Sequence, residues 1–172
     1  MSTITYRAQP AIDATGGHVY DGNRRPYTVS RLLWPGDVHT WLARRPVGKT
    51  LHVCHGKSGL GSCRVDLFEE ETDVRADAAR LPFAARSWDT VLIDPPYNGV
   101  YRWNHDMLAE LARVARQRII FQHWFVPVNK AGRFKKEPRF RLREIAAWQP
   151  RTYFGRVQMI TVMDWVTGLL AE

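Results

Sequence analysis

The stretch Thr90-Val91-Leu92-Ile93-Asp94-Pro95-Pro96-Tyr97 decides how this chain is read. From Val91 to Ile93 it is unbroken aliphatic, the pattern of a strand covered on both faces in a parallel sheet. Pro95 and Pro96 remove two backbone donors and fix two φ angles, so the strand must stop and the chain leaves in a stiff turn. Ligands of an open α/β sheet bind outside the carboxyl ends of its strands, which is where Asp94 and Tyr97 are expected. The Asp94 carboxylate and the Pro95 carbonyl are two acceptors. They suit an amino group whose lone pair is delocalised into a ring or carbonyl, because hydrogen bonds to its two N–H groups favour a pyramidal nitrogen. Tyr97 adds an aromatic face on which a planar base can stack.

At 172 residues the chain has room for one α/β domain with a real core and not for a second. A net charge of +8 favours polyanionic partners. Cys54 and Cys63 are too few for a disulfide framework, the start of the chain has no apolar run of signal-peptide length, and no run approaches a membrane span. These features read as a soluble protein of a reducing cytoplasm, with no membrane partner and two free thiols.

Residues 1–26 are polar and turn-rich, an arm preceding a domain over 27–172. Asp37 is placed to cap a short helix through Arg44 that turns Val38, Trp41 and Leu42 to one face. Residues 51–54 read as a first strand, 55–61 as a glycine-rich turn and 64–67 as a second strand. Only residues 55–62 separate the two, too few for a crossover helix with its loops. An extended return of about 26 to 29 Å is long enough, so the first helix of the fold is expected to be replaced by a loop. Residues 72–77 read as a third strand ending in Asp77, and Asp89 as a structural acid at the start of the central strand. A helix over about 104–117, capped by Asn104, buries Met107, Leu108, Leu111 and Val114. Residues 118–122 form the next strand, with His123 at its end. Runs 139–148 and 156–164 are expected as two antiparallel final strands.

Asp94-Pro95-Pro96-Tyr97 resembles the D/N/S-P-P-Y/F signature of the amino-methyltransferases that use S-adenosylmethionine, and matches it at every position. The similarity to a class I methyltransferase runs from about residue 27 to 166 and implies a seven-stranded, mostly parallel, Rossmann-like sheet with reduced helices. It implies catalysis by Asp94, Pro95, Pro96 and Tyr97. It also implies S-adenosylmethionine held by the turn Cys54, His55, Gly56 and Ser58, by Asp66 on the ribose hydroxyls, and by Asp77 and Ala78 at the adenine. The family's turn is aromatic-x-Gly-x-Gly; Gly56 matches its first glycine, whereas Ser58 stands at the second and Gly59 comes one place later. Tyr27 and Trp34 fall where a segment of the family packs against the cofactor, or else join the core. Asp77 has a second reading as a cap of the following turn.

His52, Cys54, His55 and Cys63 have metal-ligand residue types, but strand alternation separates them and no C-x-x-C pair is present, so no metal is assigned. Residues 130–143 carry seven basic side chains against Glu137, with Phe134 and Phe140 interleaved. Lys130, Arg133, Lys135 and Lys136 are expected to hold nucleic acid near Tyr97, unless the run is a solvated face. The function implied is methylation of an exocyclic amino group of a nucleic-acid base, adenine in DNA first and cytosine next, with a flipped base if the target is duplex. Two other readings stay open: methylation of RNA or a protein glutamine, and a non-catalytic nucleic-acid-binding domain. No target-recognition region of the usual size is present, so a partner or an oligomer has to be considered for that task.

Overall fold

A computed structural model describes residues 11–12, 18–19, 31–33, 37–95, 105–123, 126–129, 132–148 and 157–167. In chain order these form β1 (Ala11–Ile12), β2 (His18–Val19), β3 (Arg31–Leu33), α1 (Val38–Ala43), β4 (Thr50–Val53), β5 (Cys63–Asp66) and β6 (Val74–Arg75). There follow β7 (Trp88–Ile93), α2 (His105–Val114), β8 (Ala115–His123), β9 (Phe140–Trp148) and β10 (Gln158–Trp165). The calls on Tyr27, Trp34, Pro96, Tyr97, Asn104 and Lys130 lie outside the described residues, as does most of the arm, of which β1 and β2 form a two-stranded antiparallel sheet.

The main sheet runs β3-β9-β10-β8-β7-β4-β5-β6, the seven expected strands plus the three-residue β3 at one edge. One orientation differs from expectation. β10 is antiparallel to both β8 and β9, which makes β9 parallel to the rest; only β10 runs backwards. The sheet is a Rossmann-like α/β arrangement whose chain moves outward from β4 to β5 and β6, then returns to β7 on the other side of β4. That reversal opens a crevice beyond the carboxyl ends of β4 and β7.

Strand burial follows position. All six residues of β7 are buried because it lies mid-sheet with covering on both faces. One face carries Val91, Ile93, Ile119 and Phe121 with Met107, Leu111 and Val114 of α2; the other carries Leu92, Ile120, Ile160 and Val162 with Val38, Trp41 and Leu42 of α1. Both helical stripes are those expected from spacing. Asp37 occupies the N-cap of α1 without a side-chain capping bond. Helix α2 ends at Val114, three residues early, because Ala115 already pairs with Trp88 and the carbonyl of Arg113 accepts from the amide of Arg86 at 2.8 Å.

Residues 54–62 contain no helix, as the short spacing requires, and β4 still pairs with β5 in parallel. The alternation of β5 supplies a reason: Val65 is fully buried, while Arg64 faces the opposite way and pairs at 3.1 Å with the exposed Asp73. A helix packed there would have to bury that arginine. No helix among the described residues is long and apolar enough to cross a membrane.

Candidate active site

Four strand ends converge on one cavity of about 440 Å³. Cys54, His55, Gly56 and Lys57 follow β4; Asp66, Leu67 and Phe68 end β5; Ala76 and Ala78 follow β6; Asp94 and Pro95 follow β7. The strand expected over 51–54 stops at Val53. Cys54 takes a left-handed φ of 52°, unusual for a side chain with a Cβ, and turns the chain into the loop, where Gly56 has φ 53°. The Cys54 thiol loses its proton only with difficulty, its pKa pushed up to about 12 by burial and by the negative charges of Asp66, Asp94 and Asp77.

Asp66 is held by backbone. Its Oδ1 accepts from the amides of Phe68 (2.9 Å) and Glu69 (3.2 Å), and its Oδ2 from Gly56 (3.3 Å). Burial pushes its pKa up, but these three donors outweigh that and leave it below the usual carboxylate range. A carboxylate offers about four acceptor positions. Three are occupied, which leaves Asp66 able to accept from a further donor.

Asp77 behaves in part as its second reading foresaw, accepting from the amide of Ala79 at 2.8 Å. The cavity is lined by its neighbours Ala76 and Ala78 rather than by Asp77. Ser58 also stands back from the lining: its amide donates to His55 O (2.9 Å) and its Oγ accepts from Leu60 N (3.3 Å). His55 is buried against the cavity, and neither ring nitrogen has a hydrogen-bond partner among the described residues.

Asp94 receives a hydrogen bond from Gln122 Nε2 at 3.1 Å. Sequence reading passed over Gln122, because the contact comes from sheet register: Ile93 pairs with Phe121, so the next residues on the two strands are Asp94 and Gln122. Phe68 was also missed; it lines the cavity while remaining 73% exposed, an aromatic plate at the mouth two places after Asp66. His123 is fully buried, its pKa lowered to about 3 by burial.

Of the basic residues expected to hold nucleic acid, Arg133, Lys135 and Lys136 are described, and none of them lines this cavity. Arg133 bridges to Arg141, which is level with Asp164, Arg118 and Thr90 across the sheet. Along β7, Asp94 lies four residues beyond that level, about 13 Å at ~3.3 Å per residue. Lys135 and Lys136 continue away from the site, after Phe134, whose amide donates to Phe140 O at 2.8 Å at the start of β9. At that far edge Arg86 and Arg139 stack over Trp165 at 3.8 and 4.3 Å. A second cavity of about 460 Å³ there is lined by Arg86, Arg116 and Arg118.

No protein-family model matches the sequence, and no curated protein does. Solved structures do. Magnesium protoporphyrin IX methyltransferase from Synechocystis, with bound SAM, aligns over 76% of this chain and 77% of its own at 14% identity and a TM-score of 0.51. A putative methyltransferase of Haloferax volcanii, in complex with its methyltransferase activator, aligns over 76% and 90% at 15% identity and 0.50. The fold is that of the class I S-adenosylmethionine-dependent methyltransferases.

The residues present fit that cofactor in chemistry. Asp66 offers an acceptor of the kind a ribose hydroxyl needs, the sides at Leu67, Phe68, Ala76 and Ala78 are apolar and include an aromatic face, and the volume is in the range of small-molecule sites.

Proposed function

We propose that the chain is an S-adenosylmethionine-dependent N-methyltransferase acting on an exocyclic amino group of a nucleic-acid base, adenine in DNA first. The observation that carries this reading is that Asp94, first residue of the D-P-P-Y sequence, lines the same cavity as Asp66. S-adenosylmethionine, when bound, supplies an electrophilic methyl group on a sulfonium. Asp66 and the apolar lining hold its adenosine end. Asp94 accepts an N–H of the target amine and draws its lone pair out of conjugation. Pro95 stiffens the turn, and Tyr97 provides the stacking face for the base. The nitrogen gains a methyl and releases one proton, taken by Asp94 and passed to water.

Arg133, Lys135 and Lys136, with Lys130, serve as phosphate contacts. A second reading is a protein glutamine amide, favoured by the acidic character of the described lining, where Asp66 and Asp94 stand with Lys57 as its basic residue. Either target calls for a recognition element, and a partner protein or a second copy of the chain would supply it. Incubation of the protein with labelled S-adenosylmethionine and separate DNA, RNA and protein pools tests the proposal. Label in DNA as N6-methyladenine supports it; label only in protein favours the second reading; cofactor binding without label in any pool defeats both.

A further inference from the structure

Gln122 is 5% exposed, sits on β8 beside the end of β7, and hydrogen-bonds Asp94 Oδ2 at 3.1 Å. A carboxylate only accepts, so the amide must present its N–H to Asp94. We propose that Gln122 is a positioning residue for Asp94, fixing one carboxylate oxygen so that the other meets the target amine. This rests on the proposed role of Asp94 in methyl transfer.

Three facts support it. The register that pairs Ile93 with Phe121 places both residues at the same level of adjacent parallel strands, so the contact is set by sheet geometry rather than by a loop. The surroundings of Gln122 are packed, with His123 and Phe121 fully buried on either side in sequence, which limits the rotamers of the amide. The Asp94 amide is also tied, donating to Val53 O at 3.4 Å, so the carboxylate is anchored at backbone and side chain. With Oδ2 engaged, rotation of the carboxyl group is restricted and the orientation of Oδ1 follows. An aspartate at the end of a strand without such a partner would sample several orientations, of which few serve the reaction.

Among the described residues, the titratable groups around Asp94 are Cys54 after β4, His55 and Lys57 in the loop, Asp66 on β5, Asp77 after β6 and His123 beside Gln122. None supplies the same donor from β8 to Asp94 Oδ2. Gln122→Glu is nearly isosteric and replaces the donor with a second carboxylate; two carboxylates sharing a site retain a proton to higher pH. Gln122→Leu removes the donor without adding charge.

The experiment is a pH titration of Asp94 in full-length protein labelled at the aspartate side-chain carboxyl carbon, for wild type, Q122E and Q122L, beside kcat against pH, cofactor Kd and thermal melts. The expected result is an Asp94 midpoint raised by at least roughly one pH unit in Q122E and by less in Q122L. The acid limb of kcat should move with it, kcat should fall at least about tenfold at neutral pH, and cofactor Kd should stay within about threefold. An unchanged midpoint in both variants overturns the proposal, as does a drop in kcat that merely follows lost thermal stability. If the midpoints move while wild type methylates no amine in any pool, the proposed reaction fails and the Gln122–Asp94 coupling stands.

Discussion

The backbone amide of Gly56 and the carboxylate of Asp66 meet at 3.3 Å, joining the loop after β4 to the end of β5. Asp66 thus shapes the cavity as well as lining it. Asp66→Ala should weaken S-adenosylmethionine binding by roughly 1.5 to 3 kcal/mol, through the lost acceptor and the three released amides. Titration calorimetry measures this directly; absence of binding by the unmodified protein would end the cofactor assignment.

Asp94→Ala should separate binding from chemistry. Removing an acceptor aimed at the reacting amine is expected to cost about 10²-fold or more in turnover while cofactor affinity changes by only a few fold. Single-turnover transfer of labelled methyl is the measurement, and full activity of the variant would refute the role.

Gly48 and Asp89 form a coupled structural point remote from the cavity. Asp89 accepts from Lys49 N (2.9 Å), Gln117 Nε2 (2.7 Å) and Arg116, and Gly48 has φ 58° with the Asp89 carboxylate where a Cβ would stand. Gly48→Ala should lower stability by about 2 kcal/mol or more, from backbone strain and a collision with a carboxylate that cannot move freely. The Asp89 pKa is depressed, first by the Lys49 amide and then by Arg116. Its contribution is therefore present above the unfolded value of about 3.9 and lost as pH falls through the lower folded value. The stability gap between wild type and Asp89→Asn should accordingly hold from pH 7 to 5 and close below about pH 4, as read by urea denaturation.

Two buried histidines act over a different pH window. His52 has its pKa lowered to about 4 by burial, although its bond to Leu60 O opposes this, and His123 is lowered to about 3. The unfolded chain binds their protons below about pH 6.5 and the folded chain does not, so stability falls as pH drops from 6.5 toward 4. Each can contribute up to roughly 1.4 kcal/mol per pH unit. The midpoint of urea unfolding should therefore begin to decline near pH 6, and His123→Phe should flatten that decline.

Replacing Lys130, Arg133, Lys135 and Lys136 together by Ala should weaken nucleic-acid binding and flatten its salt dependence by up to roughly 0.7 to 0.9 log unit per lost contact. Cofactor affinity should not change, since none of the described members of this set lines the cavity. An unchanged salt slope would remove the segment from the nucleic-acid path and shift preference to a protein target.

The sheet was legible because its signals are local: the apolar run before Asp94, the helical spacing of Met107, Leu111 and Val114, and the eight residues between two strand patterns. The polarity of β9 was not, since it depends on which neighbour pairs with it and not on its own residues. Sequence reading brought Asp66 and Asp94 to one cavity because both acids stand at strand ends. It failed where side chains turn back on their own loop, as Ser58 and in part Asp77 do, because capping and ligand binding call for the same residue types. Gln122 shows the converse: its importance comes from a neighbour 28 positions away, which no local pattern records.

The loop that stands where a first helix would be is sewn down along its length. His52 Nδ1 meets Leu60 O at 3.1 Å, Ser62 N donates to Thr50 O at 2.7 Å, and Cys54 N to Val65 O at 2.8 Å. Its conformational freedom is surrendered during folding, so a ligand arriving against this wall has little disorder left to remove. Along this wall, then, the affinity of a bound cofactor is not diminished by the cost of ordering a loop.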